Sequence, residues 1–467
     1  MQPRLASVSS IFVLLCTANI LSYVFRGVVP AAPVEFQAFI QRTLNVPSDE
    51  TSFYFGLLES VFIGTYSLSI VVFGYLSKTV RPFRLLAVGL SLWCASVVLC
   101  GVAAPANSFY VLLVGRVLSG VGDASIQALT PPFIERHAAP ERKNLWMGLY
   151  YATVAVGMGL SYFYGSAVAR SWGWQWAFYM CAMAMAPLVP LSLVCIPDAY
   201  NRPLVTASSS TFRTDLATVV QNIVFLSSSL GGAAFAFTFT GLATFAPAIL
   251  IGAGTFPAAW SSTIFGLFIV VTGMVGAPLA GFLLDRAIQG HEDDDSFRLH
   301  AACRHQLLHV LVGFPFLVAT TWCLSSPVGF LCCLAIGLTS SFGTMNATTI
   351  AVMLSVPPAL HGLAIGLFTT IIHWAGDVPA PVVIGLVKDA YAPGCGSVVG
   401  SDGVDHLSPE CFTDANRFGL KMTLFWSIVW LVWCILLWVL SWWAAKRQPQ
   451  HEGYVQDVSS DEAVVVP

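Results

Sequence analysis

The chain has 467 residues, of which 56% are hydrophobic and only 10% are charged. A soluble protein of this length does not bury so much apolar surface, so the composition indicates a membrane protein. The formal net charge is −3, and the chain has no block of basic residues that would indicate a nucleic-acid partner.

Twelve apolar segments are each long enough to cross a bilayer, which takes about 20 residues. In chain order they are 10–31, 53–76, 84–104, 108–134, 145–168, 174–196, 219–251, 262–285, 305–324, 328–355, 362–387 and 418–445. The first follows Arg4, as a signal peptide would, but it lacks a small-residue cleavage site and precedes eleven more. We therefore predict an uncleaved first helix.

The distribution of Lys and Arg among the loops predicts the orientation. If both termini are cytosolic, 14 of the 21 basic residues fall on the cytosolic side and 5 on the other side. The remaining two, Arg26 and Arg116, lie inside helices. Because cytosolic loops carry an excess of Lys and Arg, both termini are predicted to be cytosolic.

The segments form two groups of six around a polar break. We predict an N-terminal six-helix bundle over 1–196, a cytosolic linker over 197–218, a C-terminal six-helix bundle over 219–445 and a disordered cytosolic tail over 446–467. An all-α membrane protein with this layout is typical of the major facilitator fold.

Two of the 12 cysteines lie in the polar loop between the last two segments. Cys395 and Cys411 fall on the side predicted to be non-cytosolic, where a disulfide is favoured. Two free thiols are the alternative.

Polar and charged residues interrupt several of the apolar segments. Arg116 and Asp123 are seven residues apart and share a helical face, with Gly120 and Gly122 between them to allow close helix approach. Related spacings occur in other segments, at Asn19, Tyr23 and Arg26, at Glu59 and Tyr66, and at Thr369, His373 and Asp377, while Asn346 lies in the tenth. Ionisable groups at this depth usually face a cavity or pathway, although any one of them could serve only to lock the bundle.

Other classes of protein fit these features less well than a transporter does. The pair His373 and Asp377 resembles the His-x-x-x-Asp pair of some acyltransferases, but both residues lie within one apolar helix, so an enzyme is not expected. A channel or receptor is a third reading. The layout of six plus six helices and the distributed charges favour alternating access.

Several stretches resemble the Spinster family of major facilitator transporters. The segment 115–125, "GRVLSGVGDAS", resembles the family's helix 4 signature, with Asp123 where Glu is common. The segment 373–389, "HWAGDVPAPVVIGLVKD", resembles its helix 11 pattern. Weaker matches to helices 2, 7 and 8 lie at 56–76, 241–250 and 276–286.

Two departures from the family pattern affect the expected mechanism. Phe25 stands where the family has a helix 1 Asp implicated in proton coupling, although Arg26 is kept. Lys78 stands at the Asp position of the superfamily's Gly-x-Leu-x-Asp-Arg motif, whose C-terminal copy is intact through Asp285 and Arg286. The N-terminal gating contact is therefore expected to differ.

The resemblance implies a secondary transporter of an amphiphilic lipid, either a lysophospholipid or a sphingoid lipid such as sphingosine-1-phosphate. The alternative substrate is a small polar or anionic metabolite, such as an organic acid or a sugar. The protein would be a monomer surrounded by membrane lipids, in a lysosome-like organelle or the plasma membrane, with no cofactor, metal or catalytic residue.

Candidate residues have three predicted roles. Substrate contacts are expected from Arg26, Arg116, Tyr23, Asn346, His373 and Thr369, and proton coupling from Asp123, Glu59 or His373. Gating is expected from Asp285, Arg286 and Asp377. The aromatic residues Tyr150, Tyr151, Tyr162, Phe235, Phe237 and Phe245 are a further candidate surface for an acyl chain. Phe25 leaves open a facilitator without proton coupling.

Overall fold

A computed structural model describes residues 7–46, 51–203, 211–393, 395, 397–399, 405–407 and 409–447. Within these residues, 12 helical spans are long and apolar enough to cross a membrane, as predicted. We number them 1 to 12: Val8–Arg26, Tyr54–Leu76, Pro82–Val102, Phe109–His137, Pro140–Ala169, Trp174–Val194, Ile223–Ala243, Ile264–Ile288, Asp295–Thr320, Pro327–Leu354, Pro358–Lys388 and Asp414–Ala445.

The helices themselves have the following bounds: Val8–Arg26, Val28–Ala31, Pro33–Leu44, Thr51–Leu76, Pro82–Val102, Phe109–His137, Lys143–Trp172, Trp174–Met185, Leu188–Val194, Phe212–Val220, Ile223–Gly252, Ala258–Ile288, Asp295–Thr320, Pro327–Phe342, Thr344–Leu354, His361–Ile372, Ala380–Tyr391, Asp414–Val429 and Leu431–Ala445. Span 6 is interrupted at Pro187, which cannot donate a helical hydrogen bond. Span 11 contains one π-helical turn, His373–Asp377.

Span 1 is shorter than predicted, because its helix ends at Arg26 instead of residue 31. At this point the backbone of Gly27 lies against Ser161, and a Cβ on Gly27 would meet the Ser161 Oγ at 1.8 Å. The chain then forms the amphipathic helix Pro33–Leu44, which the sequence reading missed. Phe36 and Phe39 of this helix pack on Trp174, so the helix lies against the beginning of span 6.

Twelve spans return the chain to the side on which it began. We call the side of Ser7 and Arg447 the terminal side, and the other the opposite side. Each group of six spans packs into a bundle, and the bundles meet along spans 2 and 11 and along spans 5 and 8. The cytosolic location of the termini and the limits 1–196 and 219–445 remain predictions.

Glycines set how closely the two bundles approach. A Cβ on Gly74 of span 2 would lie 2.1 Å from the carbonyl oxygen of Gly362 in span 11. On Gly148 of span 5 it would lie 2.3 Å from the carbonyl oxygen of Ala277 in span 8. Both contacts lie in the terminal half of the molecule, so the bundles pack backbone to backbone there.

The loop between spans 11 and 12 lies on the opposite side. It contains a two-stranded antiparallel hairpin, β1 (Ser397–Val399) and β2 (Asp405–Leu407), with Val398 facing His406. Cys395 and Cys411 flank the hairpin and are joined by a disulfide. The predicted tail beyond Arg447 lies outside the described residues. Of the predicted linker, residues 204–210 also lie outside them, and the helix Phe212–Val220 occupies its end.

Candidate functional site

The centre of the N-terminal bundle contains a buried ion pair between spans 1 and 4. Arg26 donates from Nε to Asp123 Oδ2 at 2.9 Å and from Nη2 to the same oxygen at 2.5 Å. Ser22, one turn before Arg26, donates to Asp123 Oδ1. The Asp123 side chain is 1% exposed, whereas that of Arg26 is 16% exposed. The pair is therefore reached from the Arg26 side.

A second ion pair lies nearer the opposite side, between spans 4 and 2. Arg116 donates from Nη2 to Glu59 Oε1 at 2.7 Å and from Nε to the carbonyl oxygen of Leu58 at 3.2 Å. Its Nη1 is buried and has no hydrogen-bond partner among the described residues. Arg116 is fully buried, but the Glu59 side chain is 29% exposed. Glu59 is thus the accessible member of this pair.

Aromatic rings surround both guanidinium groups. The Arg26 guanidinium carbon lies 4.5 Å from the ring centre of Tyr23 and 4.4 Å from that of Tyr66. For Arg116 the corresponding distances are 4.6 Å to Phe62 and 5.1 Å to Phe25. Cation–π contacts therefore hold both arginines, and Phe25 occupies space beside Arg116 where a carboxylate would form another ion pair.

Span 11 places a third polar group against this cluster. His373 Nδ1 lies 2.6 Å from Asp377 Oδ2, and Thr240 of span 7 donates to Asp377 Oδ1 at 2.7 Å. Both residues belong to the π-helical turn, closed by a 2.9 Å hydrogen bond from the Val378 N–H to the His373 carbonyl. Such turns are rare and occur mainly at functional sites.

Tyr66 connects the polar groups of the two bundles. Its ring lies against Arg26 of the N-terminal bundle and 5.7 Å, centre to centre, from the imidazole of His373 in the C-terminal bundle. One residue further on, the Ser67 carbonyl accepts a 2.6 Å hydrogen bond from Thr370. The bundles are therefore in contact at mid-membrane, next to the charged residues.

An uncharged polar network continues toward the terminal side. Asn19 donates to Thr153 Oγ1 at 2.7 Å and accepts from the Tyr150 hydroxyl at 3.3 Å. The same hydroxyl lies 2.7 Å from Gln127 Oε1. These residues come from spans 1, 4 and 5, so polar side chains extend from the ion pairs toward the terminal side.

Ion pairs join the two halves of the chain at the terminal side. Lys78, at the end of span 2, pairs with Asp215 at 2.7 Å, and both side chains are 7% exposed. Glu135 of span 4 accepts from Arg298 Nη2 of span 9 at 2.5 Å. Each contact joins the N-terminal half to the C-terminal half of the chain.

Asp285 supports the same closure through backbone groups. Its two carboxylate oxygens accept from the N–H groups of Asn144 and Leu145 at 3.1 and 2.8 Å and from the Asn144 side chain at 2.7 Å. Asp285 thus caps the first turn of the span 5 helix from across the bundle interface. Arg286 is exposed, packs on Phe282 and forms no ion pair with a described residue.

The side chains of Arg26, Glu59, His373 and Asp377 are 16 to 29% exposed although they lie between the bundles. Since the bundles are joined at the terminal side, solvent reaches these groups from the opposite side. We call the region around the two ion pairs and the π-helical turn the central cleft, and we infer from these exposures and from the terminal-side contacts that it is reached from the opposite side.

Other predicted site residues lie apart from the ion pairs. Asn346 is fully buried. Its Nδ2 donates to the Ala277 carbonyl at 3.4 Å, and its Oδ1 accepts from the Ala347 N–H at 2.8 Å. Thr369 is buried one turn before His373. Tyr151 bonds Thr349 across the bundle interface at 2.7 Å.

The aromatic candidates for an acyl chain are dispersed. Phe235 stacks on Phe239, and Phe237 packs on Trp430 within the C-terminal bundle. Phe245 packs near Ile384, and the side chain of Tyr162 lies outside the described part of the structure.

The sequence reading missed several residues of the cleft and its closure. Ser22 and Thr240 orient the two central aspartates, and a polar residue inside an apolar span was the available signal. The partners Asp215 and Arg298 lie 137 and 163 residues from Lys78 and Glu135, so no local pattern reveals these pairs.

Twelve spans in two bundles around a charged, partly accessible cleft define a multi-pass membrane transporter. Residues 14–377 match the family model of the Major Facilitator Superfamily. The chain belongs to that superfamily.

Its relatives include spinster homologues. It is 28% identical to the "Probable sphingolipid transporter spinster homolog 1" of Arabidopsis thaliana, over 80% of this chain and 82% of that protein. It is 29% identical to "Protein spinster homolog 1" of Homo sapiens, over 81% of this chain and 72% of that protein.

Solved structures share the fold. A bacterial homolog of the human lysosomal transporter Spinster, in an inward-facing and unoccupied conformation, matches with a TM-score of 0.58 at 19% identity, covering 94% of this chain and 98% of that one. The transporter FucP in the outward conformation matches with a TM-score of 0.63 at 13% identity, covering 94% and 99%.

Proposed function

We propose that the protein moves an amphiphilic lipid, a lysophospholipid or a phosphorylated sphingoid lipid, across its membrane by alternating access. The observation that carries the proposal is the pair of aromatic-flanked arginines in the cleft, Arg26 and Arg116. The spinster relatives support it, since one of them is named a probable sphingolipid transporter.

The two arginines suit a phosphate-bearing headgroup. A guanidinium forms charge-assisted hydrogen bonds to phosphate oxygens, and Arg116 keeps its Nη1 free of any hydrogen bond to a described residue. The rings of Tyr23, Tyr66 and Phe62 lie directly beside the charges. An amphiphile would use both kinds of surface, with Phe62 and Tyr66, which are 1 and 2% exposed in this conformation, uncovered as its headgroup binds the arginines.

Displacement of a carboxylate from an arginine by the phosphate of the substrate provides a route to proton coupling. A phosphate that binds Arg116 or Arg26 competes with Glu59 or Asp123 for the guanidinium. A carboxylate that loses its cation in a cleft of low dielectric constant is stabilised by taking up a proton. Proton uptake would then accompany headgroup binding, with His373 as a further acceptor. Because position 25 is Phe and not Asp, Asp123 and Glu59 are the carboxylates that pair with the two arginines.

The closed terminal side indicates the conformational step. Release toward that side requires the contacts of Lys78 with Asp215, Glu135 with Arg298 and Asp285 with Asn144 to separate. This arrangement supports a gating role for Asp285. Asp377 instead holds His373 inside the cleft, so a gating role for Asp377 rests on movement of span 11.

The test uses purified protein in liposomes of defined composition. Labelled lysophosphatidylcholine should move across the membrane, faster with a proton gradient, and Arg116→Ala should slow the movement at least tenfold. Arg42→Ala is the matched control, because among the described residues Arg42 contacts Asn107 and Phe39, which lie outside the cleft. Glycerophosphocholine, which has the headgroup without the chain, should not compete.

An equal loss of lipid movement in Arg116→Ala and Arg42→Ala would contradict a headgroup site in the cleft. Competition by glycerophosphocholine would favour a small polar or anionic substrate. Movement that ignores the gradient would identify a facilitator. Labelled protein in cells would separate a lysosome-like location from the plasma membrane.

A further inference from the structure

The C-terminal bundle has a groove on its outer surface that the transport cleft does not use. It lies between spans 8, 9 and 10 and has a volume of about 570 Å³, which is within the usual range for a small-molecule site. Its walls are mostly apolar, with Leu279 and Leu283 on span 8 and Leu308 and Val312 on span 9. None of the residues assigned to the cleft lines it.

This groove faces the lipid of the bilayer. Leu283, Leu308 and Val312 are 43, 48 and 51% exposed, although all lie in spans that cross the membrane. Exposed apolar side chains in a membrane span contact acyl chains. A concave apolar surface at this position therefore receives part of a lipid molecule.

Two histidines make the groove more than an apolar contact surface. His305 and His309 both line it, with ring centres 6.0 Å apart. Neither imidazole forms a hydrogen bond with a described residue, although polar groups within a membrane are costly unless they find a partner. The His309 ring is held against span 10, since a Cβ on Gly343 would meet its Nδ1 at 2.9 Å. The nitrogen atoms of His305 and the Nε2 of His309 are therefore available to an occupant.

Beyond the groove, on its terminal side, each of the two walls formed by spans 8 and 9 continues to an arginine that does not itself line the groove. Leu279, Leu283 and Arg286 follow i, i+4, i+7 spacing on span 8, and Arg304, Leu308 and Val312 follow i, i+4, i+8 spacing on span 9, so each arginine continues an apolar stripe. Both arginines are exposed, and neither forms an ion pair with a described residue. The spans are antiparallel neighbours, which brings both charges to the same end.

The length of the groove fits one leaflet. From Gly276 to Arg286 a helix rises about 15 Å, which is half of a hydrocarbon core about 30 Å thick. We infer that the groove between spans 8, 9 and 10 binds an anionic phospholipid from the terminal-side leaflet, with its phosphate at Arg286 and Arg304, its glycerol ester region at His305 and His309, and one acyl chain along the leucines. Basic pockets between membrane helices have this chemistry.

This lipid is a bound component of the bilayer and not the transported molecule. Snorkelling of the two arginines to the interface, without a specific lipid, is the alternative explanation of their position. The two accounts differ in lipid selectivity and in sensitivity to a change in the shape of the groove.

Native mass spectrometry of the purified full chain, titrated with phosphatidylglycerol or phosphatidylcholine, tests the inference. We expect one tightly retained phosphatidylglycerol, bound at least tenfold more strongly than phosphatidylcholine. Arg286→Gln with Arg304→Gln should remove the preference, and Leu308→Trp should weaken retention at least tenfold by filling the groove. Leu311→Trp is the matched control, since Leu311 is 45% exposed on the same span but does not line the groove.

The remaining outcomes separate this site from the transport cleft. Arg116→Ala should leave phosphatidylglycerol retention unchanged. If Arg116→Ala abolishes retention while Leu308→Trp does not, the retained lipid occupies the cleft and the inference is wrong. Equal retention of both phospholipids in all variants would also overturn it. Val312→Trp repeats the filling test if Leu308→Trp does not fold.

Discussion

The buried pair of Lys78 and Asp215 should stabilise the conformation that is closed at the terminal side. Lys78 replaces the acidic residue of the superfamily motif, and Asp215 lies in the helix Phe212–Val220 that leads into span 7. Lys78→Met leaves the Asp215 carboxylate buried beside an apolar side chain. Opening the terminal side would restore water to that carboxylate, so the variant should favour the open conformation.

The size of the effect follows from the burial of the pair. Both side chains are 7% exposed, and removing one partner of a buried ion pair costs about 3–5 kcal/mol. If about 3 kcal/mol of this is recovered when the terminal side opens, the ratio of closed to open molecules should fall on the order of 100-fold, at 1.4 kcal/mol per factor of ten.

Double electron–electron resonance can measure this ratio. Spin labels at Tyr110 and Val328, exposed residues at the opposite-side ends of spans 4 and 10, report on the separation of the two bundles. The labels require a background without the free cysteines, with the Cys395–Cys411 disulfide kept. The long distance of the wild type should give way to a shorter one in Lys78→Met.

A double variant provides the control. Lys78→Met combined with Asp215→Leu leaves no unpaired charge, and apolar replacement of a buried pair is often neutral, so the distances should return toward those of the wild type. Unchanged distances in both Lys78→Met and Asp215→Asn would refute the reasoning. The pair would then contribute nothing to the choice between conformations.

Three further outcomes are expected. Asp123→Asn keeps the shape of the carboxylate but cannot exchange a proton, so lipid movement should persist without its dependence on the proton gradient; undiminished gradient dependence would remove Asp123 as the carrier. Gly362→Leu places a side chain against the backbone of Gly74 and should lower transport at least tenfold. A melting curve in detergent checks that the variant still folds. Gly64→Leu is the control, because the space around Gly64 is open. The disulfide between Cys395 and Cys411 closes a loop with a sequence separation of 16. Its reduction should lower the free energy of unfolding by about 3 kcal/mol in the chain-entropy model. The measurement is a lower melting temperature, which Cys332→Ser should not reproduce.

The spans were predictable because membrane helices must be long and apolar. The same rule identified Arg116 and Asp123 as exceptions that need partners. The identity of those partners was not predictable. The two residues share a helical face, but Asp123 pairs with Arg26 of span 1 and Arg116 pairs with Glu59 of span 2, and no local pattern indicates which span supplies each partner.

Features that depend on contacts between distant segments also escaped the sequence reading. Span 1 ends where Gly27 approaches Ser161 of span 5, a contact that the local sequence does not reveal. The helix Pro33–Leu44 has the amphipathic pattern of a surface helix, but it was hidden by its position directly after an apolar segment.

The π-helical turn at His373–Asp377 has a consequence for tolerance of insertions and deletions. It contains one residue more than an α-helical turn needs, and each residue of an α-helix advances the direction of its side chains by about 100°. Deleting one residue here would restore a regular helix and would rotate everything after it by that angle. The half of span 11 before the turn would keep its register with span 2, whereas Ile384 would turn away from Phe237. The length of this segment is therefore constrained as strictly as the chemistry of its side chains.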